Sequence, residues 1–131
     1  MKRTAVNPWK WSLPYSFNQA EVIEGATRHL ICSGQTAIDV DGEPQHAGDM
    51  RAQVALSLDN LETVLKAAEM TLSNVVRLTI YTTDVDQMVA NWDVLTERLG
   101  TAGVKPPLTL VGIARLAFPE LLVEIEATAA G

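Results

Sequence analysis

The stretch GDMRAQVALSLDNLETVLKAAEMTLSNVVRLTIYTT, residues 48–83, changes its hydrophobic period midway, and that change decides the fold. Met50, Val54, Leu58, Leu61, Leu65 and Ala68 recur at spacings of three and four, which places them on one apolar face of a helix over Gly48–Met70. Arg51, Asp59, Glu62 and Lys66 fall largely off that face. From Val75 to Thr83 the period becomes two. Val76, Leu78 and Ile80 alternate with Arg77, Thr79 and Tyr81, the pattern of a strand.

Downstream, Asp84 to Leu99 reads as a second helix with Met88, Trp92, Leu95 and Leu99 on its face. Asp84 and Gln87 resemble a capping box, and Gly100 is placed to end the helix. Two strands close the chain, Leu108–Leu116 and Leu121–Ala129, with a turn at Pro119-Glu120. Upstream, a short strand is expected over Phe17–Ile23 and a better one over His29–Asp39. Gly34 interrupts the latter, which signals a bulge or a close backbone approach. Asp41-Gly42 marks a turn. The order β-β-α-β-α-β-β indicates a single α+β domain over residues 1–131, a mixed sheet with two helices on one face. In LTLVGIARL, residues 108–116, both alternating sets are apolar or small, as in a strand buried on both sides. The helices cover only one face, so the economical cover for the other is a second copy of the chain.

Composition limits the function classes. The net charge of −6 repels a phosphate backbone, and no basic patch offsets it, so nucleic acid is not an expected partner. No apolar run approaches the roughly 20 residues of a membrane span. The first residues carry no apolar core of signal-peptide length, and Cys32 is the single cysteine, so a reducing, cytoplasmic setting is expected. Cys32 lies in an apolar stretch and reads as a buried, inert thiol. His29 and His46 have no companion at ligand spacing, so no metal is expected. Ser33 and Thr109 lack a Ser-His-Asp pattern. Trp9, Trp11 and Tyr15, near Pro8 and Pro14, are too apolar for a free tail and should pack on the body or on a partner chain.

The closing strand poses the functional question. Val123, Ile125 and Ala127 share the face that suits the helices, so Glu124 and Glu126 share the other. Either they are solvated or paired with Arg77 or Arg115, or one works in a cleft, where partial burial raises a carboxyl pKa and fits it for proton transfer.

In combination, SGQ (33–35), AQVALSLDNLETVLKAAEM (52–70), VVRLTIYTTDVDQM (75–88) and ARL…VEIEATA (114–129) resemble the YjgF/RidA family of imine/enamine deaminases. The resemblance covers residue 17 to the end of the chain. It implies a chorismate-mutase-like fold, a homotrimer, no cofactor and a small-molecule substrate in an inter-subunit cleft. It implies that Glu124 positions the attacking water and that backbone groups at Gly34 and Leu110 line the pocket. The family's pocket tyrosine falls at about Phe17, with Tyr15 two residues away, and Arg115 matches the arginine of ARL. The arginine that grips the substrate carboxylate in a PARS segment does not carry over. The segment here is PPLT, with Leu108 at the arginine position. A leucine cannot make the bidentate contact of a guanidinium. The resemblance therefore implies a hydrolase with an altered substrate class or, alternatively, a trimer that binds a small molecule without deaminating it. RNA cleavage, another activity the family is credited with, is disfavoured by the acidic charge.

Overall fold

A computed structural model describes all 131 residues. The strands are β1 (Lys2–Val6), β2 (Ala20–Glu24), β3 (His29–Ile31), β4 (Val75–Thr82), β5 (Leu108–Gly112) and β6 (Val123–Ala130). The helices are α1 (Met50–Ala67), α2 (Val85–Ala90) and α3 (Trp92–Ala102). The main sheet has the order β3-β6-β4-β5, antiparallel except for the parallel pair β4–β5. A parallel pair needs a long crossover, and α2 and α3 provide it.

Helix α1 follows its periodicity. Met50, Val54, Leu58, Leu61 and Leu65 are buried, and the Asp49 side chain caps the first turn by accepting from the Ala52 N–H at 3.0 Å. They pack against Leu78, Ile80, Val123 and Ile125 of the sheet and Leu95 and Leu99 of α3 in one core. Fully burying such a side chain contributes about 1.5–3 kcal/mol before the entropy of ordering is subtracted.

Several sequence expectations need correction. The helix expected over Asp84–Leu99 is two helices. Asn91 ends the first by turning its own side chain back to the Gln87 carbonyl at 2.9 Å, competing with the helical ladder. Asp84 does cap α2, accepting from the Gln87 N–H at 3.0 Å. The second helix runs past Gly100 and stops at Gly103, whose φ of 69° is left-handed. Val76 does not join the alternation of β4, because the ladder slips between Val75 and Arg77 and Val75 takes the buried place. The strand expected over Phe17–Ile23 starts only at Ala20, and the one over Leu108–Leu116 stops at Gly112. In the protomer β5 is an edge strand, half-buried and not covered on both faces.

The N-terminal segment is a strand that the sequence reading missed. β1 pairs with β2 in a separate hairpin. The Arg3 guanidinium reaches Glu21 Oε2 at 2.6 Å and donates to the Ser73 and Val75 carbonyls at 2.6 and 2.8 Å. A shielded ion pair holds a structure only when its remaining hydrogen-bond capacity is met. Here Glu21 also accepts from Asn18 Nδ2 at 3.0 Å, and Asn18 accepts from Asn7 Nδ2 at 2.8 Å. The network fastens both ends of the loop between β1 and β2. Within that loop Trp11 meets Phe17 edge to face at 5.7 Å, yet Trp9 and Trp11 stay 62% and 60% exposed.

Candidate functional site

Antiparallel and parallel partners in register share a sheet face, which sorts the candidate residues. Thr79 and Tyr81 of β4 oppose Glu126 and Glu124 of β6, and Thr109 and Val111 of β5. This set, with Arg77, Thr128 and Ile31, forms the face that no helix covers. Ile31 is 74% exposed there, a large apolar side chain left to water in the single chain.

Glu124 is half-buried on that face, and its position depends on Gly34. The Gln35 N–H donates to the Ile125 carbonyl at 2.7 Å, and the Ile125 N–H returns a bond to Gln35 at 2.9 Å. This antiparallel bridge keeps the Ser33-Gly34-Gln35 backbone alongside β6, one residue out of the β3 register. A Cβ on Gly34 would stand 2.5 Å from Glu124 Cδ and Oε2. Glycine is therefore needed for the close approach and not for a left-handed φ. The strand expected over His29–Asp39 is regular only to Ile31; the Cys32 N–H still donates to the Ala127 carbonyl at 2.9 Å, and one extra residue before Gln35 makes the bulge that Gly34 signalled.

The half-buried Asn60 and the fully buried Gln53 of α1 brace the chain after this bulge and the entry to β6. Asn60 of α1 donates to the Thr36 and Ile38 carbonyls at 2.8 and 3.0 Å. Gln53 donates to the His46 and Glu120 carbonyls at 3.0 and 2.8 Å and accepts from the Leu122 N–H at 2.7 Å, which fixes the entry to β6. The sequence reading singled out neither. Their signal was polar character on an otherwise apolar helix stripe, since Gln53 adjoins Val54 and is fully buried.

Burial, and then the charge of Glu126, push the Glu124 carboxyl above the usual glutamate range. The Tyr81 hydroxyl donates to Glu126 Oε1 at 2.7 Å. That bond, with burial, raises the Tyr81 phenol, and Arg77 acts in the opposite sense. Neither Arg77 nor Arg115 pairs with a glutamate. Arg77 donates to Thr109 Oγ1 at 2.7 Å, while the exposed Arg115 turns back to the Leu116 carbonyl at 3.3 Å in the loop after β5.

The other candidates gather elsewhere. Tyr15, Phe17, Leu108 and Leu110 line one pocket of about 380 Å³ with Val89 of α2 and Trp92 of α3. Leu108 and Leu110 oppose Leu78 and Ile80, so they lie on the helix side of the sheet. Within one chain the candidates thus fall into two separate groups, Glu124 with Gly34 on the open face and an apolar pocket at the β5 edge. A larger hollow of about 750 Å³ lies between α1 and α3. Its charges are mostly spent on one another, Arg51 with Asp93 at 2.7 Å and Arg98 with Asp59 and Glu62 at 2.6 Å, so it makes a poorer chemical site despite its size. No three His, Cys, Asp or Glu side chains converge as metal ligands. Cys32 is buried, and burial raises its thiol pKa, away from nucleophilic use. No helix is long and apolar enough to cross a membrane.

Comparison with known proteins matches this architecture. The family model described as Endoribonuclease L-PSP matches residues 13–131. RutC family protein PH0854 of Pyrococcus horikoshii is 32% identical over 104 residues, 79% of this chain and 80% of the relative. The crystal structure of YyfB from Yersinia pestis, described as a protein of unknown function of the Rid family, superposes with a TM-score of 0.89 at 34% identity over 99% of both chains. Escherichia coli TdcF, solved with bound serine, has a TM-score of 0.71 at 25% identity over 97% of this chain and 91% of its own. The chain belongs to the Endoribonuclease L-PSP family, also called YjgF/RidA.

Proposed function

We propose that this member of the YjgF/RidA family is a small-molecule hydrolase of the imine/enamine deaminase type, with a substrate class altered by Leu108. We propose further that it works as a homotrimer in which the Glu124 half-site of one subunit faces the apolar pocket of the next. The observation that carries the reading is the half-buried Glu124 carboxylate held against the Gly34 backbone. A carboxylate with a raised pKa is the stronger base at neutral pH. Glu124 accepts a proton from water as the water oxygen attacks the C=N carbon. The resulting carbinolamine, protonated on nitrogen, expels ammonia and leaves a carbonyl. Overall, imine and water become carbonyl and ammonia. Backbone groups at Gly34 and Leu110 orient the substrate. Tyr15 and Phe17 wall it. Arg115 is the residue the family resemblance offers for binding, but its place in the loop after β5 favours a structural role.

The bound serine of TdcF supports a small-molecule site in this fold, and serine carries a carboxylate. Leu108 stands where the family resemblance puts the carboxylate-gripping arginine, so the substrate proposed for this chain lacks a carboxylate. A second reading, a trimer that binds without catalysis, draws on the same leucine. RNA cleavage fits poorly with a net charge of −6 and two glutamates on the open face. The lone buried thiol suits the cytoplasm.

The test is hydrolysis of imines generated in situ, charged and neutral, by wild type and Glu124→Gln. A rate above buffer that Glu124→Gln loses supports the hydrolase. No rate with any imine favours binding alone.

A further inference from the structure

We propose that the pocket beside β5 takes an uncharged ligand with an aromatic or branched apolar body and an amide, carbonyl or imine head, and rejects the corresponding carboxylate. The inference rests on the hydrolase reading for what becomes of that ligand. Its chemical class follows from the lining.

All six lining side chains are apolar or aromatic: Tyr15, Phe17, Val89, Trp92, Leu108 and Leu110. The indole N–H of Trp92 is already spent on the Tyr15 carbonyl at 3.0 Å, which also pins the loop that supplies Tyr15 and Phe17. The Tyr15 hydroxyl is the one polar side-chain group left in the lining. No lining residue is cationic, so a carboxylate entering here would lose its hydration without a partner. A cavity of about 150 Å³ holds benzene. At about 380 Å³ the pocket has room for a ring with a short chain, or for a fused bicycle.

The strand edge supplies the polar contacts. Pro107 accepts from the Leu78 N–H and Ile113 donates to the Thr82 carbonyl, so the odd-numbered residues of β5 turn to β4. In a parallel ladder the residues between them point both backbone groups the other way. β5 is the last strand of the sheet, which leaves the N–H and C=O of Leu110 at a free edge beside the pocket. A primary amide or an N-unsubstituted imine offers an acceptor and a donor and satisfies both groups. A carboxylate offers acceptors only and sets its charge against the Leu110 carbonyl.

Calorimetric titration of the full chain with phenylacetamide, phenylacetate and acetamide tests this. Phenylacetamide should bind at one per chain, on the order of tenfold or more tighter than phenylacetate. Acetamide, with no apolar body, should bind far more weakly. Val89→Trp, at an exposed position that tolerates bulk, should fill the pocket and abolish binding. Leu108→Arg should reverse the order of amide and acid. Phenylacetate binding as tightly as the amide, amide binding untouched by Val89→Trp, or no saturable amide binding at millimolar ligand would each overturn the proposal. Fastest turnover of carboxylate-bearing imines would overturn it and leave the hydrolase intact. Amide binding without turnover of any imine would support the pocket and sink the hydrolase.

Discussion

Gly34→Ala is the sharpest probe of the Glu124 half-site. The new Cβ would lie 2.5 Å from Glu124 Cδ and Oε2 and 2.7 Å from Cγ. Carbon atoms in contact prefer about 3.5–4.0 Å, so the carboxylate must retreat by roughly 1 Å. Swinging an arm of about 2.5 Å that far takes roughly 25°, an off-rotamer cost of about 0.5–1.5 kcal/mol. Against this, replacing glycine by alanine where φ is not left-handed stabilises by about 0.4–1 kcal/mol through the unfolded chain. The two nearly cancel, so the melting temperature should hardly move. Activity should not be spared, because a displacement of about 1 Å at a reacting group can cost roughly 100-fold. The assay is kcat/KM for imine hydrolysis beside thermal denaturation of the same preparations. A double-mutant cycle isolates the contact: with Glu124→Ala the obstacle is gone, and Gly34→Ala should become stabilising by about 0.4–1 kcal/mol. Full activity in Gly34→Ala, or the same stability change in both backgrounds, would refute the reasoning.

Other perturbations test the surrounding structure. Glu126→Gln removes the negative charge that helps hold the Glu124 carboxyl high. A base works when deprotonated, so activity rises with pH through the Glu124 pKa, and the acid limb of the profile should move to lower pH in the variant. An unmoved limb means that Glu124 does not set it. Gln53→Ala strands the Leu122 N–H and the His46 and Glu120 carbonyls, and should cost roughly 2–4 kcal/mol in urea denaturation. A loss below about 1 kcal/mol would mean that water replaces the amide. Light scattering should give wild type three times the 14.2 kDa of one chain, and Ile31→Lys should lower that mass by placing a charge on the uncovered face. A wild-type monomer at micromolar concentration would remove the inter-subunit cleft from the mechanism.

Leu108 lies in the apolar pocket beside β5. Its neighbours Leu110, Phe17 and Trp92 are apolar as well, which supports the proposal that this pocket takes an uncharged ligand. The Tyr81–Glu126 bond is a second local feature. It ties up one of the two carboxylates and leaves Glu124 the one whose position answers to Gly34.

The sequence alone determined the elements whose physics is local or periodic. The stripe Met50–Leu65 could only be an amphipathic helix, and the alternation through Leu78, Ile80 and Tyr81 could only be a strand. The period of two also assigned Glu124 and Glu126 to the face opposite Val123 and Ile125, because a strand has no other way to place neighbours. What depends on contacts between distant residues waited for the tertiary structure. β1 exists because Arg3 meets Glu21, 18 residues away, and the Ser73 and Val75 carbonyls beyond it. Gly34 was legible as a bulge or a close approach, and it is both; that Glu124 was the group approached was not legible. The separation of the candidates into two groups follows from the register of β5 and β6 against β4, which puts Leu108 and Leu110 on the helix side and Glu124 on the other. Register between strands 30 residues apart is set by packing of the whole core, and no spacing along the chain encodes it.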